Sequence, residues 1–227
     1  MSKMSVNLAG VTLKNPVMTA SGTFGSGAEY SEFVDLNNLG AVVTKGVANV
    51  PWPGNPTPRV AETTGGMLNA IGLQNPGIDV FCERDIPFLK KFDTKIIVNV
   101  CGKTTEDYCE VVERLGNEPV DMLEINVSCP NVKEGGIAFG QNPRALEAIT
   151  REVKKYARQP VIMKLSGTNL QNVLSRYHIP VTGIGNYLFQ LHPQISHVHT
   201  SHGKKKLHIP LGDHLAFFFQ KPGSPAH

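Results

Sequence analysis

The sequence predicts an α/β fold whose strands lie parallel and close toward a barrel, and three observations carry that expectation. Short apolar runs without strict alternation occur at 16–20, 41–45, 96–100, 122–127 and 161–165; this is the character of strands buried on both faces of a parallel sheet. Segments with helical caps and helical apolar spacing lie between them, so strand and helix alternate. Each run also delivers a polar residue at its tip: Ser21, Lys45, Asn99, Asn126 with Ser128, and Lys164. In a (β/α)8 barrel the C-terminal ends of the strands converge on one rim, where active sites lie. A doubly wound sheet would favour a glycine-rich phosphate loop after its first strand. Gly22, Gly25 and Gly27 follow the first run, but with the wrong spacing for that loop.

Taken in order, the run at 16–20 leads to Ser21 and the run at 41–45 ends on Lys45, a residue not chosen as a turn former. After the run at 96–100, Thr104-Thr105-Glu106-Asp107 supplies a cap and first-turn acids, and Val111, Val112 and Leu115 continue one apolar face. The run at 122–127 leads to Ser128 and Cys129. Glu134, Gly135, Gly136 and Gly140 then suggest a mobile loop, suited to a lid. Asn142-Pro143 opens the next helix, with Leu146, Ile149 and Val153 at helical spacing and Lys154, Lys155 and Arg158 near its end. The run at 161–165 contains Lys164.

Composition narrows the class. The chain has 227 residues, 41% hydrophobic and 18% charged, enough for one sizeable domain. No apolar run reaches membrane-spanning length, and no apolar stretch marks the start as a secretory signal, so a cytoplasmic setting without membrane is expected. The four cysteines, Cys82, Cys101, Cys109 and Cys129, form no C-x-x-C pair, which argues against zinc ribbons and thioredoxin-like sites. Charge is uneven: residues 1–166 hold 17 basic and 18 acidic side chains, residues 167–227 hold 5 and 1, and all eight histidines lie in the second part. That shift reads as two segments of different origin. His197, His199 and His202 lack a neighbouring acid or thiol and are not read as a metal site. Lys204-Lys205-Lys206 is too short for a nucleic-acid patch.

Four ordered motifs then make the chain recognisable. The stretch 15–25, Thr44-Lys45-Gly46-Val47, the stretch 69–75, and Asn126-Val127-Ser128-Cys129-Pro130-Asn131 resemble the motifs of the dihydroorotate dehydrogenases in order and spacing. The resemblance covers residues 4–166 and is strongest to the NAD-linked class 1B catalytic subunit. It implies FMN held by Ser21, Lys45, Gly46, Asn99, Asn126 and Lys164. It implies dihydroorotate held by Lys45, Asn69, Ala70, Ile71, Gly72, Leu73, Asn126 and Asn131, with Cys129 as the base. It further implies electrons passing to NAD+ through a partner subunit carrying FAD and a 2Fe–2S cluster, in a hetero-oligomer with dimeric catalytic subunits. The chemistry agrees with these roles. Amides match the alternating donors and acceptors of orotate, lysines suit a reduced flavin and a substrate carboxylate, and a nearby lysine would draw the thiol pKa toward neutral.

Beyond Ser166 the motifs stop, whereas the family continues with about three more strand–helix units of roughly 30 residues each. The expectation is therefore an incomplete barrel of about five units followed by a non-homologous, His-rich tail over 167–227, with the edge of the last strand open. Competing readings are a fumarate-using dihydroorotate dehydrogenase, a dihydropyrimidine dehydrogenase, and a non-catalytic remnant. On its own a cysteine after a strand is more often structural than catalytic, and each lysine could be an ordinary rim charge. The ordered set outweighs those separate readings.

Overall fold

The computed structural model describes residues 4–128, 139–140, 142–166, 189–190 and 215–220. The chain begins with a hairpin of β1 (Val6–Leu8) and β2 (Val11–Leu13). Its two-residue turn has Ala9 and Gly10 at φ 46° and 88°, the left-handed geometry that matches the twist of the flanking strands. β3 (Ala41–Val43) follows. A second hairpin, β4 (Val60–Thr63) with β5 (Gly66–Asn69), projects into solvent. Helix α1 runs from Ile78–Val80 through a π-helical turn, Phe81–Asp85, into Ile86–Leu89. Then come β6 (Lys95–Val100), α2 (Thr105–Leu115), β7 (Met122–Asn126), α3 (Pro143–Tyr156) and β8 (Val161–Ser166). Two late strands, β9 (Phe189–Gln190) and β10 (Leu215–Gln220), complete a six-stranded sheet in the order β3-β6-β7-β8-β10-β9. All its pairings are parallel except β9 with β10.

The strands sort their side chains by face, because successive residues point to opposite sides. Ile96, Val98 and Val100 of β6, Leu123 and Ile125 of β7, and Val161, Met163 and Leu165 of β8 pack in one cluster with Tyr108, Val111, Val112 and Leu115 of α2 and with Leu146, Ile149 and Val153 of α3. The opposite face carries Ala41, Val43, Ile97, Met122 and Ile162, which cluster with Leu8 and Leu13 of the hairpin. The β1–β2 hairpin thus plugs the end of the sheet where the strands begin. Fully burying each large aliphatic of this kind stabilises by about 1.5–3 kcal/mol. Two residues beyond the plugged layer, the same face turns polar, with Asn99 after Ile97, Glu124 after Met122 and Lys164 after Ile162.

Both helices flanking β7 begin where the sequence places them. Thr104 caps α2 with a reciprocal box, its hydroxyl accepting from Asp107 N and the Asp107 carboxylate accepting from Thr104 N. Asn142 caps α3, accepting from Arg144 N and Ala145 N. Other elements differ from expectation. The run at 16–20 reduces to a single bridge, Met18 to Ala41. Pro16 has no N–H to donate; Val17 and Thr19 bond through the backbone to Gly40 and Ala41, and beyond them the Thr19 hydroxyl bonds to both N and O of Val43. The two hairpins and α1 go unread in the sequence. The edge of β8, expected to stand open, is paired along its length by β10, from Leu215 on Val161 to Gln220 on Ser166. An unbroken extended run supplies the backbone groups that a bare edge lacks. The rest of the predicted tail, its histidines included, lies outside the described residues, as does the predicted lid loop up to Gly136. Among the described residues no helix is long and apolar enough to cross a membrane.

Thr104→Ala should lower the free energy of unfolding by about 1 kcal/mol through loss of the cap. Urea denaturation followed by circular dichroism measures it, and an unchanged midpoint would remove the capping box as a stabilising element.

Candidate active site

The polar layer above the plug is continuous. Asn99 Nδ2 donates to Glu124 Oε1 at 2.5 Å, and Asn126 Nδ2 donates to Asn99 Oδ1 at 3.2 Å. Asn126 Oδ1 accepts from Ser128 N at 3.2 Å and from Ser128 Oγ at 2.8 Å. From the far side Lys164 Nζ donates to Ser21 Oγ at 3.1 Å, although 143 residues separate the two in sequence. Ser21, Asn99, Glu124, Asn126 and Ser128 are all buried, and Lys164 is half-buried. Register explains the assembly: Asn99 lies opposite Glu124 on neighbouring strands, and Asn126 lies opposite Lys164. Buried polar groups persist only when paired, and here each finds its partner within the layer.

Gly46 borders this layer for a steric reason. A Cβ there would sit 2.9 Å from Asn99 Oδ1 and 3.4 Å from Cys101 Sγ, so only glycine leaves the amide in place. Beneath it, Asn99 N donates to Thr44 Oγ1 at 3.3 Å. Tyr108 reaches over from α2 and donates its hydroxyl to Asn126 O at 2.8 Å, which pins the end of β7. Lys45 is half-buried, and among the described residues its ammonium has no hydrogen bond or ion pair.

The loop after β5 reaches the layer at one point. Gly72 and Leu73 both take positive φ, 76° and 53°. Leu73 packs with Ala48, Trp52 and Cys101, and its Cδ2 would lie 3.5 Å from a Cβ on Gly46. Asn75 staples the loop: its Oδ1 accepts from Ala48 N and Gly77 N, while its Nδ2 donates to Leu73 O. Asn69 and Ala70 are exposed and Ile71 is half-exposed. Among the described residues none of the three hydrogen-bonds to the layer, and the carbonyls of Ala70 and Ile71 instead accept from Asn55.

The structure therefore brings together Ser21, Gly46, Asn99, Asn126 and Lys164, with Leu73 at the margin and Lys45 at the exit of β3. Cys129 and Asn131, the expected base and a further substrate contact, lie outside the described residues. One residue of the layer goes unread in the sequence. Glu124 sits inside an apolar run, and the signal that would have found it is a lone acid two residues before Asn126 on the same face. Burial pushes the Glu124 carboxyl above the usual carboxylate range, opposed by the charge of Lys164 and by hydrogen bonds from Asn99 and Ser21. The other described cysteines fit the small-hydrophobe reading. Burial, reinforced by Glu118, pushes the Cys82 thiol up to about 11, Cys101 is buried, and burial also raises Cys109.

The chain matches the family model for dihydroorotate dehydrogenase over residues 3–182. It is 72% identical over 162 residues to a "Dihydroorotate dehydrogenase B (NAD(+)), catalytic subunit" from Lachnoclostridium phytofermentans, an alignment covering 71% of this chain and 54% of the relative. A protein of the same description from Alkaliphilus oremlandii is 56% identical over 204 residues, 90% of this chain and 67% of that one. Similarity thus runs past Ser166, where the readable motifs end. The chain spans about half the length, 54%, of several such relatives. A solved dihydroorotate dehydrogenase from Eimeria tenella, in complex with ferulenol, superposes with a TM-score of 0.62 at 21% identity, covering 76% of this chain and 56% of that one. That likeness shows the barrel fold.

Two outcomes follow from the geometry. Gly46→Ala should destabilise the chain by about 1–3 kcal/mol, since the Asn99 amide is buried and bonded on both sides; an unaltered thermal midpoint would show that the amide can yield. Cys82, with its raised pKa, should react with iodoacetamide at pH 7.5 about 100-fold more slowly than an unperturbed thiol. Mass spectrometry of the native protein reads this, and labelling at the free-thiol rate would contradict it.

Proposed function

The chain belongs to the dihydroorotate dehydrogenase family, and from that premise we propose that its strand-tip layer binds FMN and dihydroorotate and oxidises the latter to orotate, a step of pyrimidine biosynthesis. The observation that carries this reading is the meeting of Ser21, Gly46, Asn99, Asn126 and Lys164, far apart in sequence, around one buried hydrogen-bonded layer.

The residues present fit a flavin. Gly46 borders the layer with backbone alone, where a Cβ would meet Asn99 Oδ1 at 2.9 Å, which suits the close packing of a flat ring. Lys164 brings positive charge to the layer and Lys45 to its exit, suiting a group that becomes anionic on reduction. Ser21, Lys45, Gly46, Asn99, Asn126 and Lys164 would hold it. When bound, FMN would supply the hydride acceptor. The chain's own work is to bind, orient and remove a proton. Lys45, with no partner among the described residues, is available to the substrate carboxylate. Asn126 and Asn131 offer amide donors and acceptors to the ring edge, and the stretch 69–73 forms the flank that Leu73 anchors. Cys129 takes the proton from C5 of dihydroorotate while the hydride leaves C6. The residue before it in the chain, Ser128, is held twice on Asn126 Oδ1, and a base needs a fixed tether of this kind to stay within reach of its proton.

Partner and acceptor belong to the same proposal. The relatives' description as an NAD(+) catalytic subunit supports transfer of electrons to NAD+ through a second subunit carrying FAD and a 2Fe–2S cluster, with the catalytic subunits paired. Free thiols at Cys82 and Cys109 suit a reducing, cytoplasmic compartment.

The test is direct. The full chain should bind FMN at 1:1 and bleach it on addition of dihydroorotate. Cys129→Ala should slow bleaching at neutral pH by about 10²–10⁴-fold while retaining the flavin. Bleaching at the unmodified rate in that variant would remove Cys129 as the proton acceptor, and a colourless chain after FMN addition would remove the flavin reading.

A further inference from the structure

Among the described residues Glu124 is the one carboxyl in the layer, and nothing in the chemistry above uses it. Its place in the hydrogen-bond pattern sets it apart. Ser128 donates to Asn126, Asn126 to Asn99, and Asn99 to Glu124. Every step runs donor to acceptor toward the same side chain, and the sequence of bonds ends on Glu124 Oε1, which accepts. From the far side Lys164 donates to Ser21 and faces Glu124 with its charge.

We propose that Glu124 is a positioning residue: as the terminal acceptor of this run of hydrogen bonds, it fixes which way the Asn99 and Asn126 amides face, and so which groups the layer presents to a ligand. An asparagine amide has no intrinsic preference between its two orientations, and its neighbours decide. Against the accepting Oε1 of Glu124, Asn99 turns its Nδ2 inward, which leaves Oδ1 to accept from Asn126. Asn126 then has Oδ1 free for the N–H and hydroxyl of Ser128, the residue preceding the expected base. Reversing Asn99 would set its Oδ1 against Glu124 Oε1 at the separation now spanned by a 2.5 Å bond, acceptor against acceptor. A buried unmatched pair of that kind costs more than the hydrogen bond it replaces. The single acid in an apolar strand therefore gives the layer a direction.

The orientation effect stands on the layer alone; its consequence for ligand binding rests on the function proposed above, so the experiment separates the two. Glu124→Gln keeps the size and an accepting oxygen but adds a donor, so both orientations of Asn99 become possible. Side-chain amide resonances of Asn99 and Asn126 in 15N-labelled full-length protein should form one set in the native chain and become doubled or exchange-broadened in E124Q. Titration with FMN, followed by flavin fluorescence, should show affinity weakened about tenfold in E124Q. One sharp set of resonances in E124Q, or FMN affinity equal to that of the native chain, overturns the proposal. Failure of the native chain itself to take up FMN counts against the function and leaves the resonances to decide the role of Glu124. If E124Q does not fold, the native protein labelled with 13C at the glutamate carboxyl carbon answers instead. The Glu124 carboxyl, faced by the charge of Lys164, and the Asn99 amide should then titrate with one shared midpoint; separate midpoints overturn the proposal.

Discussion

A parallel sheet that buries both faces has no water to offer a polar side chain, so every polar atom on its inner face must be answered by another protein atom. The rest of this molecule follows from how that demand is met. The β1–β2 hairpin fills the first layer of the inner face with Leu8 and Leu13, which removes any need for polar groups there. The next layer can then be polar, because Asn99, Glu124, Asn126, Lys164 and Ser21 satisfy one another. Period-two alternation along three neighbouring strands puts Asn99, Glu124, Asn126 and Lys164 on one face, and the interstrand register sets Asn99 opposite Glu124 and Asn126 opposite Lys164.

This dependence explains what the sequence disclosed. The strands at 96–100, 122–127 and 161–165 were legible because their outward residues pack on helices and their inward residues pack on the plug, so both parities are apolar until the tip. Helices α2 and α3 were legible from Thr104 and Asn142, whose side chains answer first-turn N–H groups by purely local geometry. The run at 16–20 had the right composition, but its backbone bonds to Gly40 and Ala41 only at Val17 and Thr19, and beyond them the Thr19 hydroxyl takes over the bonds to Val43. Composition alone does not register where hydrogen bonds go. The β4–β5 hairpin was missed because its residues are exposed on both faces, so no hydrophobic period marks them. The pairing of β10 with β8 is a long-range event with no local signal.

For the site, polar tips were legible as a list, and family resemblance assigned their roles. What neither supplied was connection. Ser21 and Lys164 touch across nearly the length of the described domain, a consequence of the sheet order. Glu124 escaped notice because an acid within Met122-Leu123-Glu124-Ile125-Asn126 reads as a tolerated interruption of an apolar run. Burying a polar side chain is costly unless it is hydrogen-bonded, and a folded strand that keeps one there has partners for it. That rule, applied to the run, puts Glu124 in the same polar set as Asn126, two residues on along the same face.

The same accounting separates the two lysines that the sequence treats alike. Lys164 spends its charge inward, donating to Ser21, and its field opposes the burial that raises the Glu124 carboxyl. Its ammonium is thereby fixed in place and partly neutralised. Lys45 stands at the exit of β3 with no partner among the described residues. An ammonium not already committed to a protein partner suits an anion that arrives and leaves, whereas an anchored one suits a group that stays. On the reading proposed here, Lys45 serves the substrate carboxylate as well as the cofactor, Lys164 serves the resident cofactor, and the difference between them is that Lys164 already donates to Ser21 and faces Glu124.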